Sequence, residues 1–184
     1  MPLLPTPDFT PTYFLRNSHI QTILPTKLRR VHSSNYVRER IETPDNDFFD
    51  VDWSCIPNSD NLVVLIHGLE SNSNSNYIRG MVHIFNRRGW SVAVMNFRGC
   101  SGEINRLYKS YHSGATEDIH TLVTLILQLS EFKKISLVGF SLGGNAVLKY
   151  LGEQADNSLI YKAGAVSVPC DLKSSALKMA KSEN

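Results

Sequence analysis

Six residues, Gly139-Phe140-Ser141-Leu142-Gly143-Gly144, carry the best-defined chemistry in the chain. They follow a β-rich run, Ile135-Ser136-Leu137-Val138, and open a helical pattern from Asn145 to Gln154. A G-x-S-x-G between a strand and a helix is a nucleophile elbow, a strained turn that lifts a serine oxygen clear of the sheet. The glycines two residues before and after Ser141 have a steric reason, because a Cβ at either place would meet neighbouring backbone. The helix that begins there brings its positive end to the site. Acyl transfer by serine needs a nucleophile, a base for its proton and donors for the tetrahedral oxyanion. Ser141 is the candidate nucleophile. One donor is expected to be the backbone N–H of Leu142, the residue after it, and the other to come from the loop after the third strand. In His67-Gly68-Leu69-Glu70 the glycine lets the chain turn, which makes the N–H of Leu69 the second expected donor.

The base is harder to find. All six histidines, His19, His32, His67, His83, His112 and His120, precede Ser141. Behind this motif the triad runs in the order serine, acid, histidine. Glu153, Asp156 and Asp171 lie downstream, but no histidine does. The expectation is the N-terminal part of a hydrolase, or a product that ends before its base, and therefore inactive as these 184 residues. His112, in Tyr111-His112-Ser113-Gly114, is the one histidine on a loop that could reach the site, with loop anchoring the favoured role. His67 follows a buried strand, where a structural hydrogen bond is expected. His83 and His120 fall on helices and His19 and His32 in the N-terminal arm. No histidine pair has metal-ligand spacing with a carboxylate or cysteine, so neither metal nor cofactor is expected.

The elements that must position these groups follow from hydrophobic period. Residues 1–12 read as a proline-rich lead-in, and 13–24 as a short helix capped by Asn17 or Ser18 and closed by Pro25. Tyr36 to Thr43 and Asp47 to Ser54 read as a hairpin around Pro44-Asp45-Asn46, with Val37, Ile41, Phe49, Val51 and Trp53 inward. Leu62 to Ile66 is apolar on both faces, as is Trp90 to Phe97, which suits strands covered on both sides. Ile78, Met81, Val82 and Phe85 repeat at helical spacing up to Gly89. Ile119, Leu122, Val123 and Ile126 do so after Glu117-Asp118. A strand from Ala163 to Val168 and a helix from Leu172 to Lys181 close the chain. The expected fold is α/β, a mostly parallel sheet with an antiparallel N-terminal edge and helices on both faces. Residues 1–35 are expected as an N-terminal extension and 36–184 as the N-terminal portion of one domain. The loops at 67–75, 98–115 and 139–144 leave the carboxyl ends of the strands, where such sheets carry their sites. Arg98 to Gly102 could bind an anion or brace the elbow, and bracing is favoured. The 163–168 strand suits an interior place yet would lie at an open edge.

Composition narrows the partners. A net charge of +2 makes no case for nucleic acid or an anionic membrane, and Lys27, Arg29 and Arg30 read as a solvated face. Three cysteines without metal spacing suit a reducing compartment, so a cytoplasmic location is expected. The N-terminus lacks the pattern of a signal peptide, and no apolar run is long enough to span a bilayer.

Together these segments resemble the YheT-like branch of the α/β-hydrolases, predicted esterases and lipases related to acylglycerol lipases and alcohol acyltransferases. The likeness rests on residues 16–22 (R-N-S-H-I-Q-T), 67–70 (H-G-L-E), 77–80 (Y-I-R-G) and 96–103 (N-F-R-G-C-S-G-E) with Asn105-Arg106. It continues through 111–114 (Y-H-S-G), 116–118, 139–145, 148–153 and 166–169. The resemblance implies hydrolysis of a carboxylic ester, small or lipid, with Ser141 as nucleophile, and leaves peripheral membrane contact open. Two rivals remain: an alcohol O-acyltransferase of the same fold, and a non-catalytic binding protein that kept it.

Overall fold

Five apolar residues in a row, Leu62 to Ile66, can be satisfied only where both faces of a strand are covered, and all five are fully buried. They belong to β3 (Asn61–Ile66). The structure is a computed structural model that describes residues 10–28, 31, 35–155 and 158–181. By its contacts the chain forms two compact units, Met1–His32 and Ser33–Asn184.

In the first unit a 3-10 turn, Tyr13–Leu15, precedes α1 (Ser18–Leu28). Asn17 caps α1, its Oδ1 accepting the N–H of His19 at 2.9 Å and of Ile20 at 3.3 Å. The helix does not stop before Pro25 as expected but runs to Leu28. Proline removes one N–H from the ladder there without ending it. The side chains of Lys27, Arg29, Arg30 and His32 lie outside the described residues.

The second unit is built on β1 (Val37–Glu42), β2 (Phe48–Ser54), β3, α2 (Asn76–Arg87), β4 (Ser91–Asn96), α3 (Glu117–Leu129), β5 (Lys134–Phe140), α4 (Leu142–Gln154), β6 (Lys162–Val166) and α5 (Leu172–Lys181). The strand order is β1-β2-β4-β3-β5-β6. β4, β3, β5 and β6 run parallel, and β1 and β2 are antiparallel additions at one edge. Alternation sorts the core. Leu62, Val64 and Ile66 face Ile119, Leu122 and Ile126 of α3 and Ala146, Val147 and Tyr150 of α4. Val63 and Leu65 face Ile78 and Val82 of α2. Each such side chain contributes about 1.5–3 kcal/mol by leaving water. Among the described residues no helix is long and apolar enough to cross a membrane.

Two details depart from the expected hairpin. Val37 is exposed, because it sits on the outer strand beside an open groove shared with Leu129 at the end of α3. All seven residues of β2 are buried, including Asp50 and Asp52. Their carboxylates are held by the forks of Arg40 and Arg38 across the ladder, at 2.7–3.3 Å. The 98–103 loop covers them, with Ser101 Oγ on Asp50 and Arg40 on Glu103 at 2.6 Å. β6, at the opposite edge, is mostly exposed.

Candidate active site

Ser141 stands between the end of β5 and the first residue of α4 with φ 51° and ψ −116°, a conformation that side chains other than glycine's rarely adopt. Such strain costs on the order of 1–3 kcal/mol and persists only where its surroundings enforce it. Here the enforcement is steric. A Cβ on Gly139 would lie 2.6 Å from Gly144 Cα, and one on Gly143 would lie 2.6 Å from Ile66 O and overlap His67 O. The elbow therefore seats directly on the end of β3. Its N–H donates to Val166 O at 2.9 Å, tying it to β6, and its carbonyl accepts Asn145 N–H at 3.1 Å. α4 begins at Leu142, three residues ahead of the expected helical pattern. The Ser141 side chain is exposed and makes no capping bond to the helix it begins.

The loop after β3 comes alongside. A Cβ on Gly68 would be 3.3 Å from Ser141 Cβ. Two tyrosine hydroxyls hold this loop: Gly68 N–H donates to Tyr77 at 3.0 Å, and Glu70 N–H donates to Tyr111 at 2.9 Å. Leu69, between them, is exposed, while Leu142 is half-buried at the start of α4. Among the described residues the Leu69 N–H has no hydrogen-bond acceptor. In the sequence both tyrosines belong to segments that carry the family likeness, 77–80 and 111–114, but no role for either hydroxyl is legible there. They lie 9 and 41 residues from their partners, so no local spacing announces them. A hollow of about 700 Å³ opens beside this loop, lined among others by Leu69, Glu70, Cys100, Ile104 and Tyr111.

None of the described histidines hydrogen-bonds Ser141. His67 is fully buried, its Nδ1–H on Gly68 O at 2.7 Å and its Nε2 accepting Phe97 N–H at 3.1 Å. Burial pushes its pKa down to about 4, against a smaller opposing pull from the Gly68 carbonyl. The ring is thus neutral and structural. His112 Nδ1 accepts Gly114 N–H at 3.1 Å and anchors its own loop. His83 and His120 are exposed on α2 and α3, and His19 lies in α1. Glu153 receives Thr116 Oγ1 at 2.6 Å and pairs with Lys149. Asp171 caps α5 through Ser174 N–H at 3.0 Å, and Asp156 lies outside the described residues. Among the described residues no cluster of three His, Cys, Asp or Glu could hold a metal ion.

Arg98, on the next loop, is buried. Its Nε and Nη2 grip Asp118 at 2.8 and 2.6 Å, and its Nη1 reaches Asp45 at 2.9 Å and Asp47 at 3.1 Å. The guanidinium is saturated by carboxylates, so it braces and does not present itself to an anion. It braces the hairpin turn and the start of α3, not the elbow. Burial raises the Asp47 carboxyl, but bonds from Asn105 and from the N–H groups of Arg106 and Phe48 overcome it and set its pKa at about 2. The Arg98 guanidinium, with the Thr43 hydroxyl, holds Asp45 far below the usual carboxylate range.

Comparison with known proteins agrees with this fold. A family model described as alpha/beta hydrolase fold matches residues 61–163, more than half of the chain. A putative esterase, YheT, of Escherichia coli (strain K12) is 37% identical over 177 residues, covering 95% of this chain and 52% of its own length. A monoacylglycerol lipase of Saccharomyces cerevisiae is 35% identical over 116 residues, 62% of this chain and 26% of that protein. Among solved structures, the Pyrococcus furiosus esterase Pf2001 superposes with a TM-score of 0.69 at 22% identity, over 82% of this chain and 55% of that one. The chain spans about half or less of the length of the curated relatives it matches.

Proposed function

The chain belongs to the alpha/beta hydrolase fold family, and from that premise we propose that it carries the acylation half of a serine esterase or lipase. The observation that carries this reading is Ser141 itself, a non-glycine residue at φ 51° on a strand-to-helix turn, with its side chain exposed. In the proposed reaction Ser141 Oγ attacks the ester carbonyl carbon and loses its proton to a base. The N–H groups of Leu142 and Leu69 hold the oxygen that becomes negative. Collapse expels the alcohol and leaves an acyl-serine, which water hydrolyses to the free acid.

No base for this step is assigned among the described residues. The ring of His67 is bonded to Gly68 and Phe97, His112 anchors its own loop, and no histidine follows Ser141 in the sequence. In this reading the 184-residue chain positions Ser141 for acyl transfer and does not activate it. The substrate class is a carboxylic ester, and the naming of one relative as a monoacylglycerol lipase supports a lipid ester within that class.

Imidazole added to solution can stand in for the missing base. With p-nitrophenyl acetate and imidazole, the 184-residue chain should release p-nitrophenolate faster than the same chain carrying Ser141→Ala. Equal release from both, with both folded by near-ultraviolet circular dichroism, would overturn the assignment of Ser141.

A further inference from the structure

Three consecutive N–H groups follow β3, and they have different fates. Gly68 N–H is fixed on the Tyr77 hydroxyl and Glu70 N–H on the Tyr111 hydroxyl, while that of Leu69, between them, has no acceptor among the described residues. Glu70 sits at φ 50°, a left-handed conformation that a valine or leucine would resist and that must be held from outside. Both tyrosines are themselves fixed. Tyr77 packs edge-on against Phe140, the residue before Ser141, with ring centroids 5.1 Å apart, and its hydroxyl also bonds Ser71 Oγ at 2.9 Å. Tyr111 stacks on Phe97 at 4.8 Å with the rings nearly parallel. Phe97 in turn packs against His67, whose ring bonds both the Phe97 N–H and the Gly68 carbonyl.

We infer that Tyr77 and Tyr111 are positioning residues that hold the His67–Ser71 loop from both sides, so that the Leu69 N–H is kept free and oriented as an oxyanion donor. The inference rests on the reading of Ser141 as nucleophile. A peptide plane is rigid, so fixing the N–H groups on either side of Leu69 limits rotation of the plane that carries its own N–H. A preorganised donor stabilises developing charge without having to reorient as the charge appears. Neither hydroxyl touches the reacting atoms in this account. Tyr77 comes from the first turn of α2 and Tyr111 from the long 98–115 loop, so the second donor is set by two elements that meet only in the folded chain.

Phenylalanine at either place deletes the hydroxyl and keeps the ring and its aromatic contact. The readout is acetylation of Ser141 by p-nitrophenyl acetate in the presence of imidazole: the Oγ–carbon bond forms, the proton goes to imidazole, and p-nitrophenolate leaves. Y111F and Y77F should each lower the saturating rate about tenfold, less than the hundredfold or more that follows loss of a whole donor. The half-saturating ester concentration and the urea midpoint should stay within twofold and close to wild type, respectively. Amide hydrogen exchange supplies a readout that does not depend on acylation. In the wild type Gly68 and Glu70 should be protected and Leu69 not, with Gly68 losing protection in Y77F and Glu70 in Y111F. Saturating rates within twofold of wild type in both variants would overturn the inference. So would unprotected Gly68 and Glu70 amides in the wild type. If wild type itself is not acetylated at Ser141, the functional reading fails, and with it the inference, even if the exchange pattern shows both tyrosine bonds in place.

Discussion

Two neighbouring loops at the carboxyl ends of the sheet are held in opposite ways. The elbow around Ser141 is held by absence of side chain: Gly139 lets α4 start against β5, and Gly143 lets it pass so close to the end of β3 that nothing larger fits. The 98–110 loop is held by charge, through Arg98 on Asp118, Asp45 and Asp47, Arg40 on Glu103, and Arg106 on Glu42. Steric fixing is indifferent to pH and salt but tolerates no added atom. Charge fixing tolerates neighbours but fails when its carboxylates gain protons. A serine proposed as nucleophile, whose backbone must stay strained, is better served by the first. A long covering loop, whose role is to lie over the polar face of β2, can use the second.

The sharpest way to break that contrast is Gly143→Ala. The new methyl would meet three backbone atoms of Ile66 and His67 that cannot swing aside. Overpacking of mobile side chains costs about 1–3 kcal/mol, and a clash with fixed backbone should exceed about 4–5 kcal/mol. Loss of soluble, folded protein is expected; a urea midpoint near wild type would refute the steric account. Next in size is Arg98→Ala, which strands Asp118 and Asp47 in the interior. Removing one partner of a buried ion pair costs about 3–5 kcal/mol. A midpoint shift of that size, shrinking as pH falls from about 4 towards the folded pKa of Asp47 at about 2, would sharpen the contrast. A shift of the same size at every pH would break it.

Smaller still is a pH effect that separates the two regions in the wild type. His67 has its folded pKa lowered to about 4, below the ordinary value near 6.5. The unfolded chain therefore binds the extra proton first, and stability falls as pH drops from about 6.5 towards 4, by roughly 3 kcal/mol in all. The carboxylates act later. Asp47, with its folded pKa at about 2, and Asp45, lower again, contribute stability above about pH 4 that is lost as pH falls through their folded values. Urea midpoints measured from pH 7 to pH 2.5 should fall in two stages. A flat profile from pH 7 to 4.5 would contradict the burial of a neutral His67.

How much of this could be read from residues alone depends on the range of the contacts. The elbow was legible because its strand, its glycines and its helix lie within twenty residues of chain, and its steric logic is local. The apolar strands were legible because burial on both faces leaves no polar position. The polar face of β2 was not. Alternation put Asp50 and Asp52 on a face read as solvent, but Arg38 and Arg40 face them across the ladder and the 98–103 loop covers them. Arg98 was expected to brace, yet its partners lie 20, 51 and 53 residues away, and only the fold shows that they belong to the hairpin and α3. Tyr77 and Tyr111 stood out only as members of likeness-bearing segments, since a tyrosine on a helix face or in a loop has no spacing that marks its hydroxyl as an acceptor.

The central claim is that Ser141 is in position but lacks a base within these 184 residues. Peptide mapping after exposure to a fluorophosphonate probe tests it most directly, with and without imidazole and with Ser141→Ala as the blank. Serine hydroxyl is a poor nucleophile until its proton is taken. The account predicts negligible adduct without imidazole, a slow adduct confined to Ser141 with it, and none in the variant. Rapid labelling of Ser141 without added base would contradict it and point to His112, and an imidazole-dependent adduct at another residue would contradict the assignment of the nucleophile.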